Sequence, residues 1–267
     1  MLLSTVREWP DREGWAFEPK WDGYRMLAMV DGGRARCWSR HGTELTGGVG
    51  DVIADLRELL PEATLVDGEL VALARAGDGQ VGQDFNRLGQ TVFGRHNDAL
   101  TFVVFDALRV AGEQLAERPW HERRAALEEI LTTGGPAVRL TETFSADEAV
   151  HDELLRLGFE DSVLKRRDGR YRPGQRSSLW RKVKTRAQSS ATVAIVARNR
   201  SSGLVERVGC RAADDPQRLT WALVWDGVLR HELTRELDDS VGRTAVVTYT
   251  HRTIAGALRE ARLTGLH

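Results

Sequence analysis

The sequence predicts an α+β protein with two domains, a larger domain over residues 1–186 and a small β-barrel over residues 187–267. Three observations support this fold class. Helical and strand patterns alternate irregularly through the first 186 residues. A short polar linker follows at residues 185–190, and several short strands then recur at near-regular spacing. A chain of 267 residues is long enough for two domains of this kind.

In the first domain, residues 15–30 are expected to form a strand, a tight turn at Asp22-Gly23 and a second strand, which on local sequence alone is a plain hairpin. The helical period predicts helices over residues 51–60, 119–131 and 146–157. Strands are predicted over residues 34–38, 64–73, 100–108, 162–166 and 178–184. Asp67-Gly68-Glu69 is expected to interrupt the second of these, and Asp67 to close a turn. The glycine-containing polar stretch 74–97 is expected to be a mobile loop.

Beyond the linker, four short strands are predicted, separated by turn signals that include Asp226-Gly227. They cover residues 191–198, 204–210, 219–225 and 244–250. Short strands at this spacing are typical of a small barrel of the OB type.

The composition excludes several classes of protein. The net charge is −1, so binding to a nucleic acid has to come from local clusters of charge. No apolar run approaches a membrane span, and charged residues at positions 7 and 8 argue against a secretory signal. Two cysteines do not make a disulfide framework. We therefore expect a cytoplasmic protein that does not bind membranes. We also expect a monomer.

Lysine is rare in this chain, with four lysines among 38 basic residues. They are Lys20, Lys165, Lys182 and Lys184. Unlike arginine, lysine can lose its proton and act as a nucleophile, or present a compact charge to a phosphate. The retained lysines therefore mark candidate sites for such chemistry.

An ordered set of motifs surrounds these lysines. It comprises Glu18-Pro19-Lys20-Trp21-Asp22-Gly23-Tyr24-Arg25 with K-x-D-G, Ser39-Arg40-His41-Gly42, Asp67-Gly68-Glu69, Phe105-Asp106, Glu160 ahead of Lys165, and Lys182-Val183-Lys184. This set resembles the covalent nucleotidyltransferase superfamily, and among its members the small bacterial ATP-dependent DNA ligases. The resemblance spans roughly residues 15–186. It implies a nucleotidyltransferase (ATP-grasp-like ligase adenylation) domain followed by an OB-fold domain.

The resemblance also implies a reaction and its cofactors. Lys20 takes the position of the lysine that attacks the α-phosphate of ATP, forming lysyl-AMP. AMP would then pass to a 5′-phosphate, and a 3′-hydroxyl would displace it to seal a nick. Glu160 takes the position of a ligand to Mg²⁺ or Mn²⁺, which would neutralise phosphate charge.

Other residues take positions that bind the nucleotide in this family. Arg25 and Arg40 match arginines that contact the ribose or the 5′-phosphate, Glu69 matches the acid that binds the ribose hydroxyls, and Phe105 matches the aromatic residue that stacks on adenine. An apolar strand needs core aromatics, so Phe105 is equally well explained as part of the core.

Lys182 and Lys184 share one face of a strand, from which they would clamp the α-phosphate. Glu18, Asp22 and Gly23 belong to the same expected pocket.

The segment from residue 165 to 186 holds ten basic residues and one acidic residue, Asp168. Such a run is often only a solvated face, but its density favours binding to a phosphate backbone. The residues assigned to this role are Lys165, Arg166, Arg167, Arg170, Arg172 and Arg176. The expected partners are nicked double-stranded DNA and repair proteins that supply DNA ends.

Two departures from the family pattern keep alternatives open. Asp161 stands where the family has glycine, beside the expected metal ligand. Residues 256–267 resemble the approach to the family's R-x-D-K element without containing it. Three explanations stay open: Arg259 or Arg262 substitutes for it, self-adenylation is slow, or the enzyme works mainly from a pre-adenylated state. The alternatives are an RNA ligase, an adenylyltransferase acting on a non-DNA acceptor, and a catalytically silent relative that binds nucleic acid.

Overall fold

The computed structural model describes residues 1–6, 13–75, 81–83, 85–94, 98–157, 159, 161–183, 189–201, 203–235, 242–250, 252, 256–258 and 261–267. The chain divides into two units, residues 1–184 and 185–267. The expected boundary at residues 186 and 187 lies outside the described residues. Among the described helices, none is both long enough and apolar enough to cross a membrane.

The first unit contains twelve strands and four helices among its described residues. In chain order they are β1 (Leu2–Val6), β2 (Trp15–Pro19), β3 (Tyr24–Asp31), β4 (Arg34–Ser39), α1 (Gly50–Leu59), β5 (Thr64–Arg75), β6 (Val81–Gln83), α2 (Phe85–Val92), β7 (Leu100–Val110), β8 (Glu113–Gln114), α3 (Trp120–Ile130), β9 (Val138–Leu140), β10 (Phe144–Ser145), α4 (Glu148–Arg156), β11 (Ser162–Arg166) and β12 (Arg176–Val183).

These strands form two sheets. One has the order β1-β12-β11-β2-β10, and the other has the order β4-β3-β5-β7-β8, with β6 paired to β5 and β9 paired to β7. The main core contains the buried faces of β3, β5 and β7 together with apolar residues of α1 and α3, such as Leu56 and Leu127. A smaller core joins β2 and β11 to α4, and a third cluster contains Leu108, Tyr171 and Trp180.

The link from β2 to β3 is not a hairpin, so that prediction was wrong. β2 pairs with β10 and β11, whereas β3 pairs with β4 and β5 in the other sheet. Residues 20–23 therefore carry the chain from one sheet to the other. Gly23 makes this crossing possible, because a Cβ atom there would lie 2.1 Å from the carbonyl oxygen of Leu70.

Two other expectations in this unit were wrong. β5 continues through Asp67-Gly68-Glu69 without a turn, since Asp67 pairs with Leu27 on one side and Asp106 on the other, and the irregularity there is a shift of register against β7 between Asp67 and Gly68. Gly68 is needed in that strand, since a Cβ there would lie 2.5 Å from the Phe102 ring. Within the stretch 74–97, expected to be a mobile loop, the described residues include β6 and α2, and residues 76–80, 84 and 95–97 lie outside the described residues.

The second unit contains β13 (Ser189–Ser201), β14 (Leu204–Ala212), β15 (Asp215–Leu223), α5 (Gly227–Arg235), β16 (Thr244–Tyr249) and β17 (Arg262–Leu266). The five strands close into a barrel in the order β13-β14-β15-β17-β16. Its core is formed by inward residues such as Ile195, Val208, Cys210 and Ala222. The four expected strands are confirmed as β13–β16, whereas the sequence did not indicate α5 or β17.

Replacing Gly23 by alanine should destabilise the first unit by about 1–3 kcal/mol, because the added methyl group would overlap the backbone of β5. Gly47→Ala is the matched control, since no atom lies within 4 Å of the position its Cβ would take. Urea denaturation of the two variants measures the difference. Equal free energies of unfolding would contradict the close approach at Gly23.

Candidate active site

A cavity of about 290 Å³ opens in the first unit where residues from the two sheets meet. Seven residues that were predicted to bind the nucleotide or react with it line this cavity: Glu18, Lys20, Arg25, Arg40, Glu69, Phe105 and Lys182. Three of the four lysines therefore lie around one cavity, and the fourth, Lys184, lies outside the described residues. Asp22 and Gly23 do not line it.

Lys20 directly follows β2 and lies at the start of the crossing between the sheets. Its backbone N–H donates a hydrogen bond of 2.9 Å to the carbonyl oxygen of Asp161, which precedes β11. Asp161 is therefore in contact with the lysine loop through its backbone. The expected metal ligand Glu160 lies outside the described residues.

Glu69 lies near Lys20 because β3 and β5 pair in register, with Arg25 directly opposite Glu69. Burial raises the pKa of Glu69 to about 7. The charges of Lys20 and Arg25 and a hydrogen bond from the backbone of Gly23 oppose this rise. Gly23 thus contributes to the site through Glu69, and Glu69 changes charge close to neutral pH.

At the cavity's inner end, Lys165 and Glu18 form a buried ion pair, with 2.8 Å between Nζ and Oε2. Lys165 also donates to the carbonyl oxygen of Phe105 at 2.8 Å, and its Nζ lies 4.6 Å from the centre of the Phe105 ring. Burial raises the pKa of Glu18 and lowers that of Lys165, and each partner opposes the shift of the other. Oε1 of Glu18 has no hydrogen-bond partner among the described residues.

Lys165 is only 1% exposed, which corrects its assignment to a surface that binds a phosphate backbone. Its ammonium group lies against two aromatic rings, since Nζ also lies 4.5 Å from the ring centre of Trp180. A buried ammonium ion needs such compensation because its desolvation is costly.

Arg25 forms a two-pronged ion pair with Asp67, with Nε–Oδ1 and Nη2–Oδ2 distances of 3.0 and 2.6 Å. The Tyr171 hydroxyl donates to the same carboxylate at 2.7 Å. Asp67, which was expected to close a turn, instead orients an arginine at the cavity wall. Because its donors are already engaged, Arg25 presents mainly fixed positive charge to a ligand.

The five arginines of residues 166–176 lie in different environments. Arg176 is exposed and lines the cavity, and Arg172 is also exposed. Arg166 pairs with exposed Asp168, and Arg170 lies 3.4 Å from Glu117, so local carboxylates neutralise part of the positive charge. Arg167 donates to the carbonyl oxygen of Trp15 at 3.3 Å. These five arginines stay candidates for contacting DNA.

Sequence reasoning missed several residues of the site. Trp21 and Trp180 line the cavity, as do Leu2 and Leu3 of β1. Trp180 packs edge-to-face on Phe105, with 5.8 Å between ring centres. The presence of Trp180 two residues before Lys182 on one strand was a usable signal, because alternate strand residues share a face.

The described residues contain no group of three or more histidine, cysteine, aspartate or glutamate side chains placed to hold a metal ion. A magnesium ion that travels with nucleotide phosphates needs only one or two protein carboxylates. Glu69 is a carboxylate of this cavity that is not held in a buried ion pair, so the described residues are compatible with such an ion.

A two-sheet α+β unit with a lysine, an aromatic residue and an acidic residue around one cavity is the arrangement expected of a nucleotidyltransferase. A sequence profile of the ATP-dependent DNA ligase domain matches residues 4–184. The chain belongs to the ATP-dependent DNA ligase domain family.

Named relatives agree with this family. The chain is 36% identical over 170 residues to the multifunctional non-homologous end joining protein LigD of Mycolicibacterium smegmatis, covering 64% of this chain and 21% of that protein. It is 34% identical over 182 residues to a DNA ligase of Thermococcus fumicolans, covering 63% of this chain and 32% of that enzyme. The chain thus spans about a fifth to a third of these relatives.

Solved structures of ligase domains are similar to this chain over nearly the full length of both chains. The ligase domain from M. tuberculosis LigD superposes with a TM-score of 0.61 and 26% identity, covering 100% of this chain and 93% of that one. A mycobacterial DNA ligase D complexed with ATP and MES gives a TM-score of 0.59 and 25% identity, covering 100% of this chain and 95% of that one.

Ionisation of Glu69 should make ATP binding depend on pH. Because its pKa is about 7, the carboxylate that can accept from two ribose hydroxyls forms only as the pH rises through 7, and KM for ATP should fall there. The same raised pKa should make the nucleotide-free protein lose stability as the pH rises from about 4.5 to 7.

The measurement is KM for ATP in AMP transfer to the enzyme between pH 6 and 8.5, for wild type and Glu69→Gln. The fall in KM near pH 7 should be absent in Glu69→Gln, which stays neutral. Parallel KM profiles in the two proteins would show that another group is responsible.

Replacing Lys165, the cation of the buried Glu18–Lys165 pair, should destabilise the protein. Lys165→Met leaves the Glu18 carboxylate buried without its partner, and we expect a loss of about 3–5 kcal/mol in the free energy of unfolding. The control is Arg166→Met at the next position, where an exposed pair is lost and the change should stay within about 0.5 kcal/mol. The double variant Glu18→Gln/Lys165→Met should recover part of the loss. A Lys165→Met protein as stable as Arg166→Met would contradict the burial of this pair.

Proposed function

We propose that this chain is an ATP-dependent DNA ligase that seals nicks between a 3′-hydroxyl and a 5′-phosphate, with Lys20 as the nucleophile. The observation that carries the proposal is the position of Lys20 on one cavity with Glu69, Phe105 and Lys182, in a chain of the ATP-dependent DNA ligase domain family. The printed names of the relatives, which include DNA ligases and LigD, support DNA as the substrate.

The first step joins AMP to Lys20. The neutral amine of Lys20 attacks the α-phosphorus, a P–N bond forms, and the bond to the β-phosphate oxygen breaks with its electron pair leaving on pyrophosphate. The amine loses a proton as the phosphoramidate forms. Arginine could not serve here, because its guanidinium stays protonated.

The charges around the cavity suit a triphosphate. Arg40 is exposed at the cavity, and its backbone N–H bonds to the carbonyl oxygen of Arg25 at 3.1 Å, so two arginines come together at one wall. Lys182 extends from β12 into the same lining. These cations would stabilise the charge on the α-phosphate during attack. Lys184 is proposed to act with Lys182.

The inner end of the cavity suits an adenine base. Phe105 offers a ring at the wall, while the unpartnered Oε1 of Glu18 is an acceptor for an exocyclic amino group. Adenine carries such an amino group at the position where guanine carries a carbonyl oxygen. Glu69 would accept hydrogen bonds from the ribose hydroxyls. This arrangement favours ATP over GTP.

Mg²⁺ or Mn²⁺ is proposed to accompany ATP, with Glu160 as a protein ligand. The ion would neutralise phosphate charge and orient the leaving pyrophosphate.

The second unit is proposed to be an OB-fold. Its five strands close in the order first, second, third, fifth, fourth, with a helix between the third and fourth, which is the arrangement of a five-stranded Greek-key barrel.

Arg259, a candidate substitute for the R-x-D-K element, lies outside the described residues, and Arg262 lies 5.8 Å from the ring centre of Trp225. The arginines of residues 166–176 would contact the DNA backbone.

The setting of this activity is also a proposal. The relatives named for non-homologous end joining point to DNA repair, with proteins that present DNA ends as partners. We propose a cytoplasmic monomer.

The test is sealing of a nicked DNA duplex and of a nicked RNA duplex with ATP and Mg²⁺. We expect sealing of nicked DNA and a loss of about 10³-fold or more in Lys20→Arg, which keeps the positive charge but not the nucleophile. The exposed Arg34→Lys serves as the matched control for an arginine–lysine exchange and should seal at the wild-type rate. Sealing of RNA alone would establish the RNA ligase alternative. Sealing of neither would contradict the ligase proposal, and a gain of AMP on the protein would then favour an adenylyltransferase over a silent binding protein.

A further inference from the structure

The barrel carries an exposed apolar patch on its outer face, which we call the Trp221 patch. It is formed by Val196, Ala197, Gly209, Leu219 and Trp221, with Trp221 and Leu219 each 43% exposed. These residues lie side by side, because Ala197 pairs with Gly209 and Gly209 pairs with Trp221 across β13, β14 and β15.

The Trp221 indole lies along the sheet instead of standing away from it. Its ring atom Cη2 would be 3.5 Å from a Cβ built on Gly209, so the ring extends from β15 across the neighbouring strand. The space it occupies exists because residue 209 has no side chain. The ring thereby covers residue 209 of β14, while Trp221 stays 43% exposed to solvent.

Positive charge flanks this ring. Arg207 and Arg211 lie two residues to either side of Gly209 on β14, and both are exposed. Alternation along the strand puts them on the outer face, since Val208 and Cys210 between them point into the core. No carboxylate of the described residues forms a salt bridge with either arginine.

We propose that the Trp221 patch binds an unpaired stretch of DNA, with a base stacked on Trp221 and the flanking phosphates held by Arg207 and Arg211. An open indole face matches the face of an unpaired base, whereas the bases of an intact duplex are already stacked on each other. The arginines match the phosphates on either side. An OB-fold uses the face of its second and third strands for such ligands, and β14 and β15 are those strands.

The proposed site rests on the proposed ligase function, because that function selects DNA as the ligand. It extends the substrate from the nick itself to the unpaired DNA near a break. Such a site would retain the enzyme at overhanging or frayed ends. Stacking does not depend on sequence, so the site would accept any overhang.

The experiment measures binding of a fluorescent oligo-dT and of a blunt hairpin duplex of equal length to the full chain by anisotropy. Trp221→Ala should bind oligo-dT about fivefold or more weakly and the duplex less than twofold more weakly. Trp221→Phe, which keeps a stacking ring, should retain most of the affinity. Arg207→Glu should weaken oligo-dT binding and reduce its dependence on salt.

Trp225→Ala is the matched control, because Trp225 is another exposed tryptophan of the same barrel, 67% exposed, and should change oligo-dT binding less than twofold. Equal losses in Trp221→Ala and Trp225→Ala would overturn the placement of the site. Unchanged oligo-dT binding in a folded Trp221→Ala or Arg207→Glu protein would overturn the proposal. Mass gain of AMP on the same preparations reports separately on the ligase function.

Discussion

The crossing of the chain between two sheets at residues 20–23 determines how the site is built. Gly23 approaches the backbone of Leu70 so closely that no side chain fits between them. This contact brings the lysine loop against β5, where the register of β3 and β5 places Glu69 beside it. Lys20, which follows β2 of one sheet, and Glu69, which lies on β5 of the other, are thus brought together by this backbone contact.

Burial of charge is the second physical feature on which the site depends. Glu18 and Lys165 neutralise each other at the inner end of the cavity, and Asp67 holds Arg25 at its wall. Removing either partner of such a pair leaves an uncompensated charge in a poorly solvated place. These pairs keep the cavity polar and preorganised, as binding of the proposed nucleotide requires, because a charged ligand gives up its own water on entering.

Much of the fold and of the site could be predicted from the sequence, because the informative residues are local. The scarcity of lysine singled out Lys20 and Lys182, and the periodicity of residues 51–60 and 119–131 predicted α1 and α3. The predictions that failed, for Lys165 and Asp67, depend on which strands become neighbours in the folded chain. Lys165 looked like part of a basic surface run, and only the antiparallel pairing of β11 with β2 places it on the same face as Glu18. Asp67 meets Tyr171 across 104 residues of sequence, a contact that no local pattern shows.

The most direct measurement is the mass of the intact protein and of its Lys20 peptide after incubation with ATP and Mg²⁺, beside Lys20→Ala. The account predicts a gain of one AMP on Lys20 in the wild type, reversed by pyrophosphate, and no gain in the variant. A preparation already carrying AMP should lose it when pyrophosphate is added. A wild-type protein that neither gains AMP from ATP nor loses mass with pyrophosphate would contradict the assignment of Lys20 as the nucleophile.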